Sequence, residues 1–161
     1  MEYVALGKIV SSWPAVQKLF ENAAPKDIDL AFKGADFAKA VGDRREAFQE
    51  QYQKYVEKFD GTFTARGVKF VELDEDGEPI LGEDGQELPN PEAAKAFTEQ
   101  FDELWRYEVE LPFLFSREEF KTLAESANLT VQEIITLDWI CSDEVSESEI
   151  EEDEEECQTV A

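Results

Sequence analysis

The stretch DLAFKGADFAKAVGDRREAFQEQYQKYVEKF, residues 29–59, decides the fold. Leu30, Phe37, Val41, Phe48, Tyr52, Tyr55 and Phe59 recur at spacings close to four, three and seven. That is the narrow apolar seam of a helix paired lengthwise with another. At 1.5 Å per residue, roughly thirty residues make a rod of about 45 Å. Gly34 and Gly42 weaken it by about 1 kcal/mol each against alanine, so a bend is allowed at either. Asp27 or Asp29 is placed to cap the start. Asp60-Gly61 ends the helix, with Gly61 suited to a left-handed C-cap.

Beyond Gly61 the period changes. Thr62–Leu73 carries Phe63, Val68, Phe70, Val71 and Leu73 around Gly67, a strand composition. Asp74-Glu75-Asp76-Gly77 is a turn, Glu78–Leu81 reads as a returning strand, and Asp84-Gly85 turns again toward Leu88. One or two β-hairpins over 62–88 are expected. Asn90-Pro91, a capping residue followed by proline, opens a second helix. Ala94, Phe97, Phe101, Leu104 and Trp105 mark its buried face, which is expected to return antiparallel along the seam of the long helix.

On either side lie smaller elements. Leu6, Ile9, Val10, Trp13, Val16 and Phe20 form one helical face over residues 5–22, and Pro14 either kinks that helix or starts a new one. Val109–Phe115 is extended, with Pro112 confining it to an edge, and is expected to pair with the hairpin. Ser116…Glu119 and Thr130…Glu133 are capping boxes that open short helices near 117–127 and 131–141. The fold class is therefore α+β and mostly helical. A long antiparallel helical hairpin (29–109) carries a β insertion (62–88) and is followed by a short helical hairpin. Residues 1–141 make one domain, and 142–161 form an acidic tail disordered by composition.

The charge is unevenly distributed. Of the formal −24, residues 143–156 contribute ten carboxylates and no base. Residues 1–60 are close to neutral at −1, and residues 61–142 carry −13. Such a surface repels nucleic acid and anionic membranes and suits a basic protein partner. The two cysteines, Cys141 and Cys157, make no disulfide scaffold. The first residues have neither a basic start nor a sustained apolar run, and nothing reaches the length of a membrane span. A cytoplasmic setting is expected.

The chain has no histidine. The commonest general base, nucleophile activator and transition-metal ligand are missing together. Neither glycine-rich phosphate cradle is present. No catalytic residue, cofactor or metal site is assigned, and the chain reads as a non-enzyme. Glu72, Asp74, Asp76, Gly77 and Glu83 loosely imitate a calcium loop, but Pro79 and the strand-like flanks fail its context. Leu123–Ile134 has the spacing of a helix-turn-helix, with Asn128 at the turn position. Its second helix, with Glu133 and Asp138 and no base, suits packing rather than DNA. Ser146 and Ser148 lie among acids as an acid-directed kinase prefers.

Taken together, Ala5–Phe20, Arg45–Gly61 before its Asp-x-Asp-Gly turn, and Phe97–Glu110 resemble an uncharacterised family of small acidic proteins encoded by tailed bacteriophages. The tail departs from that pattern. The resemblance implies expression in a bacterial host cytoplasm and a protein partner, and no site residues. The expected function is binding of another protein, as inhibitor or adaptor, through an acidic surface. The residues assigned to it are Glu72, Asp74, Glu75, Asp76, Glu78, Glu83, Asp84 and Glu87 in the insertion. Glu151, Glu152, Asp153, Glu154, Glu155 and Glu156 join them from the tail. Two alternatives stand beside it. One is an assembly factor, chaperone-like, using an apolar helical face. The other is a nucleic-acid mimic that blocks a host nuclease or defence complex.

Overall fold

The computed structural model describes residues 2–142. In chain order these form β1 (Glu2–Ala5), α1 (Leu6–Ser11), α2 (Trp13–Asn22) and α3 (Ile28–Lys58). Then come β2 (Thr62–Thr64), β3 (Gly67–Lys69), α4 (Pro91–Arg106) and β4 (Glu108–Leu111). The chain closes with α5 (Arg117–Ala127), α6 (Val131–Thr136) and a 3-10 turn, Asp138–Ile140. The fold is α+β and mostly helical, and the expected long helix is α3.

Asp27 rather than Asp29 caps α3, its carboxylate accepting the backbone N–H groups of Asp29 (3.0 Å) and Leu30 (3.4 Å). Leu30, Phe37, Val41, Phe48 and Val56 bury one stripe along its 31 residues. At the far end the Gly61 N–H reaches back to the Val56 carbonyl (2.8 Å) and the Asp60 N–H to Glu57 (3.1 Å). This is the paired bonding that closes a helix through a left-handed residue. Asp60, not Gly61, takes the left-handed conformation (φ 55°). Gly61 is needed for a different reason: a Cβ there would lie 2.8 Å from both Phe70 and Val68.

α4 starts on Asn90, whose side chain accepts the Ala93 N–H (3.1 Å). It runs antiparallel to α3, since Phe97 meets Tyr52 while Trp105 meets Phe48. α1 lies against both helices. Gly7 allows that approach, because a Cβ there would run into the Trp105 ring.

Of the two readings of Pro14, the new helix holds: residues 5–22 form two helices broken at Ser12, with Pro14 in the first turn of the second. Three other expectations need correction. Thr62–Leu73 is not one strand: it folds on itself, β2 against β3 around Ala65-Arg66, with Gly67 at φ 121°. The extended segment after α4 pairs with β1 rather than with the insertion, in the register Glu2↔Leu111 to Ala5↔Glu108. Helix 131–141 stops at Thr136 and continues as the 3-10 turn.

The main core is centred on Phe37 and Phe115, whose rings meet edge-on at 5.0 Å. Phe20, Phe113 and Trp139 surround Phe37 at 5.6–6.2 Å. α5, opened by a complete capping box, seals one side with Phe120, Leu123 and Ala127. A second, smaller cluster of Val56, Phe70 and Phe97 lies toward the far end of α3, and Tyr52 and Phe101 pack against both clusters.

Candidate acidic interaction site

The insertion after β3 has a geometry that side-chain periodicity does not reveal. Glu72 donates its N–H to the Leu88 carbonyl, Leu88 to Ile80, and Ile80 back to Glu72, each at 2.9 Å. Three residues spaced by eight therefore close a ring of backbone hydrogen bonds. Between them stand two tight turns of one design. The Gly77 N–H bonds the Asp74 carbonyl (3.0 Å), and the Gly85 N–H bonds the Gly82 carbonyl (3.0 Å). Gly77 and Gly85 take left-handed φ values of 81° and 76°, the conformation that completes a three-residue hairpin loop. Bridges Leu73↔Pro79 and Leu81↔Glu87 close the two loops, and Val71↔Pro89 closes the base.

All eight acids assigned to the insertion are exposed. Two of them help to build it. The Asp74 carboxylate accepts the N–H groups of Asp76 (3.0 Å) and Glu78 (2.9 Å), and that of Asp84 accepts Gln86 (3.1 Å). These bonds to backbone N–H groups hold the turns that loosely imitate a calcium loop. Among the described residues no cluster of His, Cys, Asp or Glu is grouped to hold a metal ion. Glu87 pairs with Lys69 at 2.7 Å. Glu72, Glu75, Asp76, Glu78 and Glu83 make no ion pair with any described residue. The second half of the assigned set, Glu151 to Glu156, lies outside the described residues.

The ring also turns apolar groups outward, which the reading of the acids alone missed. Leu81 is 61% exposed and Ile80 is 37% exposed, both within the acidic loops. The available signal was the eight-residue repeat of Leu73 and Leu81, with Asp-Gly at 76–77 and again at 84–85.

Elsewhere, carboxylates serve the fold. The Glu119 carboxylate accepts the Ser116 N–H (3.0 Å) and the Lys33 ammonium (3.0 Å), and Glu133 receives Lys18 (2.8 Å). Burial acts to raise the Glu119 carboxyl, but the Ser116 backbone N–H and Lys33 outweigh it and hold the group below its ordinary range. The Lys18 hydrogen bond, with that of Thr130, lowers Glu133 likewise. At the α5–α6 junction Asn128 takes the left-handed conformation (φ 57°). α6, however, is six residues long and presents Val131 and Ile135 to solvent, with Glu133 tied to α2.

No helix among the described residues is long and apolar enough to cross a membrane. Comparison with protein-family models, curated proteins and solved structures finds no match.

Proposed function

We propose that this chain is a non-enzymatic protein that binds a basic protein partner through the acidic tip formed by residues 72–88. The observation that carries this reading is the closed ring at Glu72, Ile80 and Leu88. A ring of backbone bonds fixes the positions from which the exposed acids project, and of their carboxylates only those of Asp74 and Asp84 are used to hold the turns. Like charges held together repel one another by about 1 kcal/mol per pair at 4 Å even in water, so a fixed acidic cluster favours a cationic neighbour. Exposed Leu81 supplies the apolar anchor that charge alone lacks. Together with the resemblance to phage-encoded acidic proteins, this supports an inhibitor or adaptor acting in a bacterial cytoplasm.

A second reading, an assembly factor using an apolar helical face, is favoured by Ile28 and Phe32. They stand one turn apart on α3 and are 69% and 68% exposed.

Affinity capture from bacterial lysate separates the two. The probes are the full chain, a variant with Glu75, Glu78 and Glu83 changed to Gln and Asp76 changed to Asn, and a Phe32→Ser variant. On the acidic reading, basic proteins are retained at about 50 mM salt, released by about 500 mM, and lost with the neutralised tip. Retention that ignores salt and tip charge but disappears with Phe32→Ser overturns that reading in favour of the helical face.

A further inference from the structure

In the β1–β4 sheet, hydrogen-bond parity identifies the free groups along the outer edge of β1. The Leu6 N–H bonds the Tyr107 carbonyl at 2.9 Å. In the antiparallel register this makes Val4–Val109 and Glu2–Leu111 the hydrogen-bonded pairs. Tyr3 and Ala5 fall at the alternate positions, so the N–H and C=O of Tyr3 and the N–H of Ala5 point away from β4. The outer edge of β4 obeys the same parity, and there the Glu110 carbonyl accepts the Arg44 guanidinium at 3.3 Å. Among the described residues no hydrogen bond covers the outward groups of Tyr3 or the outward N–H of Ala5.

That open edge forms one wall of a cleft of about 870 Å³. Ile135, Trp139 and Leu114 line the same cleft and give it apolar surface. Trp139 is held in place there, because its indole N–H donates to the hydroxyl of buried Ser12 at 3.0 Å. Glu2, Glu108 and Asp138 line the cleft against a single base, Lys8. Ser142 lies at the same cleft, and the ten carboxylates of residues 143–156 follow it directly in the chain.

We propose that this cleft receives an extended basic segment of a partner protein, which adds to β1 as a third strand. The proposal rests on the reading of the partner as basic and gives it a second point of attachment, away from the acidic tip. An added strand obtains its backbone bonds from Tyr3 and Ala5, and alternate side chains reach Trp139 and the acids. Charge selects the occupant. Residues 143–161 and a second copy of this chain are acidic, and either would bring carboxylates against Glu2, Glu108 and Asp138. Lysine or arginine at alternate positions meets those acids instead.

The test uses the full chain and an eight-residue peptide of alternating lysine and valine, followed by amide NMR. Tyr3 and Ala5 amides exchange freely in the unbound protein and become protected on addition of peptide. Tyr3→Pro removes the outward N–H at an edge position, where proline leaves the β4 ladder intact. It weakens binding about tenfold or more, the scale of lost backbone bonds, while Tyr3→Val retains it. Methylating alternate peptide nitrogens preserves charge and abolishes binding, a control independent of any folding defect. Equal binding by Tyr3→Pro or by the methylated peptide overturns the proposal. So does slow exchange of the two amides before peptide is added, which means that the edge is already occupied by the tail or by a second copy. Each of these failures leaves the acidic-tip reading standing, since that reading falls only on salt- and charge-insensitive capture.

Discussion

The body around Phe37 and the tip around Glu72 are ordered by opposite means. In the body, apolar side chains from five helices and the β1–β4 pair exclude water, and polar groups at its edge are used to cap helices. In the tip hardly any side chain is buried, and a ring of three backbone bonds with two glycine turns holds the shape. The body therefore derives its stability from area removed from water. The tip derives its from conformations that only particular residues adopt. A segment held this way presents its side chains outward, which suits recognition.

The sharpest way to break this contrast is to remove one ring from each region. Phe37→Ala deletes a fully buried ring and its contacts with Phe20, Phe113, Phe115 and Trp139. It is expected to cost about 3–5 kcal/mol in denaturant unfolding. Phe70→Ala, in the small cluster beneath the tip, is expected to cost less and to raise amide exchange in 62–88 before the body melts. Equal effects on both regions would mean that tip and body unfold as one unit. Next in size is Gly7→Ala, which drives a methyl group into the Trp105 ring. Overpacking of this kind is expected to lower stability by about 1–3 kcal/mol, and Gly7→Ala with Trp105→Leu should recover part of it.

Gly77→Ala and Gly85→Ala test the other half of the contrast. A methyl group at either position meets nothing within 4 Å, so any cost is backbone strain at positive φ. That cost is about 1 kcal/mol each, and it falls on the tip. Amide exchange at Ile80 and Leu88 should accelerate while the denaturant midpoint of the body stays unchanged. A shift of the body midpoint by either variant would show that the ring is coupled to the main core.

The two regions were unequally legible in the sequence. The seam of α3, its antiparallel partner α4 and the caps at Asn90 and Ser116 are local patterns, and local patterns survive in one dimension. Asp27, rather than Asp29, was a choice between two good caps. β1 was missed because four residues are too few to show alternation, and its partner Val109 lies at the other end of the chain. The same distance misdirected Val109–Phe115 toward the insertion. Within the tip the acids and turns were plain from Asp76-Gly77 and Asp84-Gly85. The ring was not, because its bonds join main-chain atoms of Glu72, Ile80 and Leu88, three residues with no common side-chain chemistry. Exposed Leu81 followed from the ring and was missed with it.

The smallest expected effect concerns carboxylates that the body uses. Glu119 joins α5 to α3 through Lys33, and Glu133 joins α6 to α2 through Lys18. Both are held below their ordinary value of 4.5, Glu119 against an opposing effect of burial. A group with a lowered folded pKa binds fewer protons folded than unfolded, so stability rises with pH across the interval between the two values. The contribution is complete above the unfolded value and is lost as pH falls through the folded one. Glu119→Gln and Glu133→Gln should each flatten the fall in stability below about pH 5 while keeping a hydrogen-bonding side chain in place. Lys33→Met should remove only part of that effect, since the Ser116 N–H bond to Glu119 remains, and adding it to Glu119→Gln should change little further, because the ion pair is already gone. Denaturant midpoints measured from pH 3 to 7, on the order of half-unit steps, provide the check. An acid limb unchanged by any of these variants would mean that the body carboxylates, like most of those on the tip, face solvent without contributing to the fold.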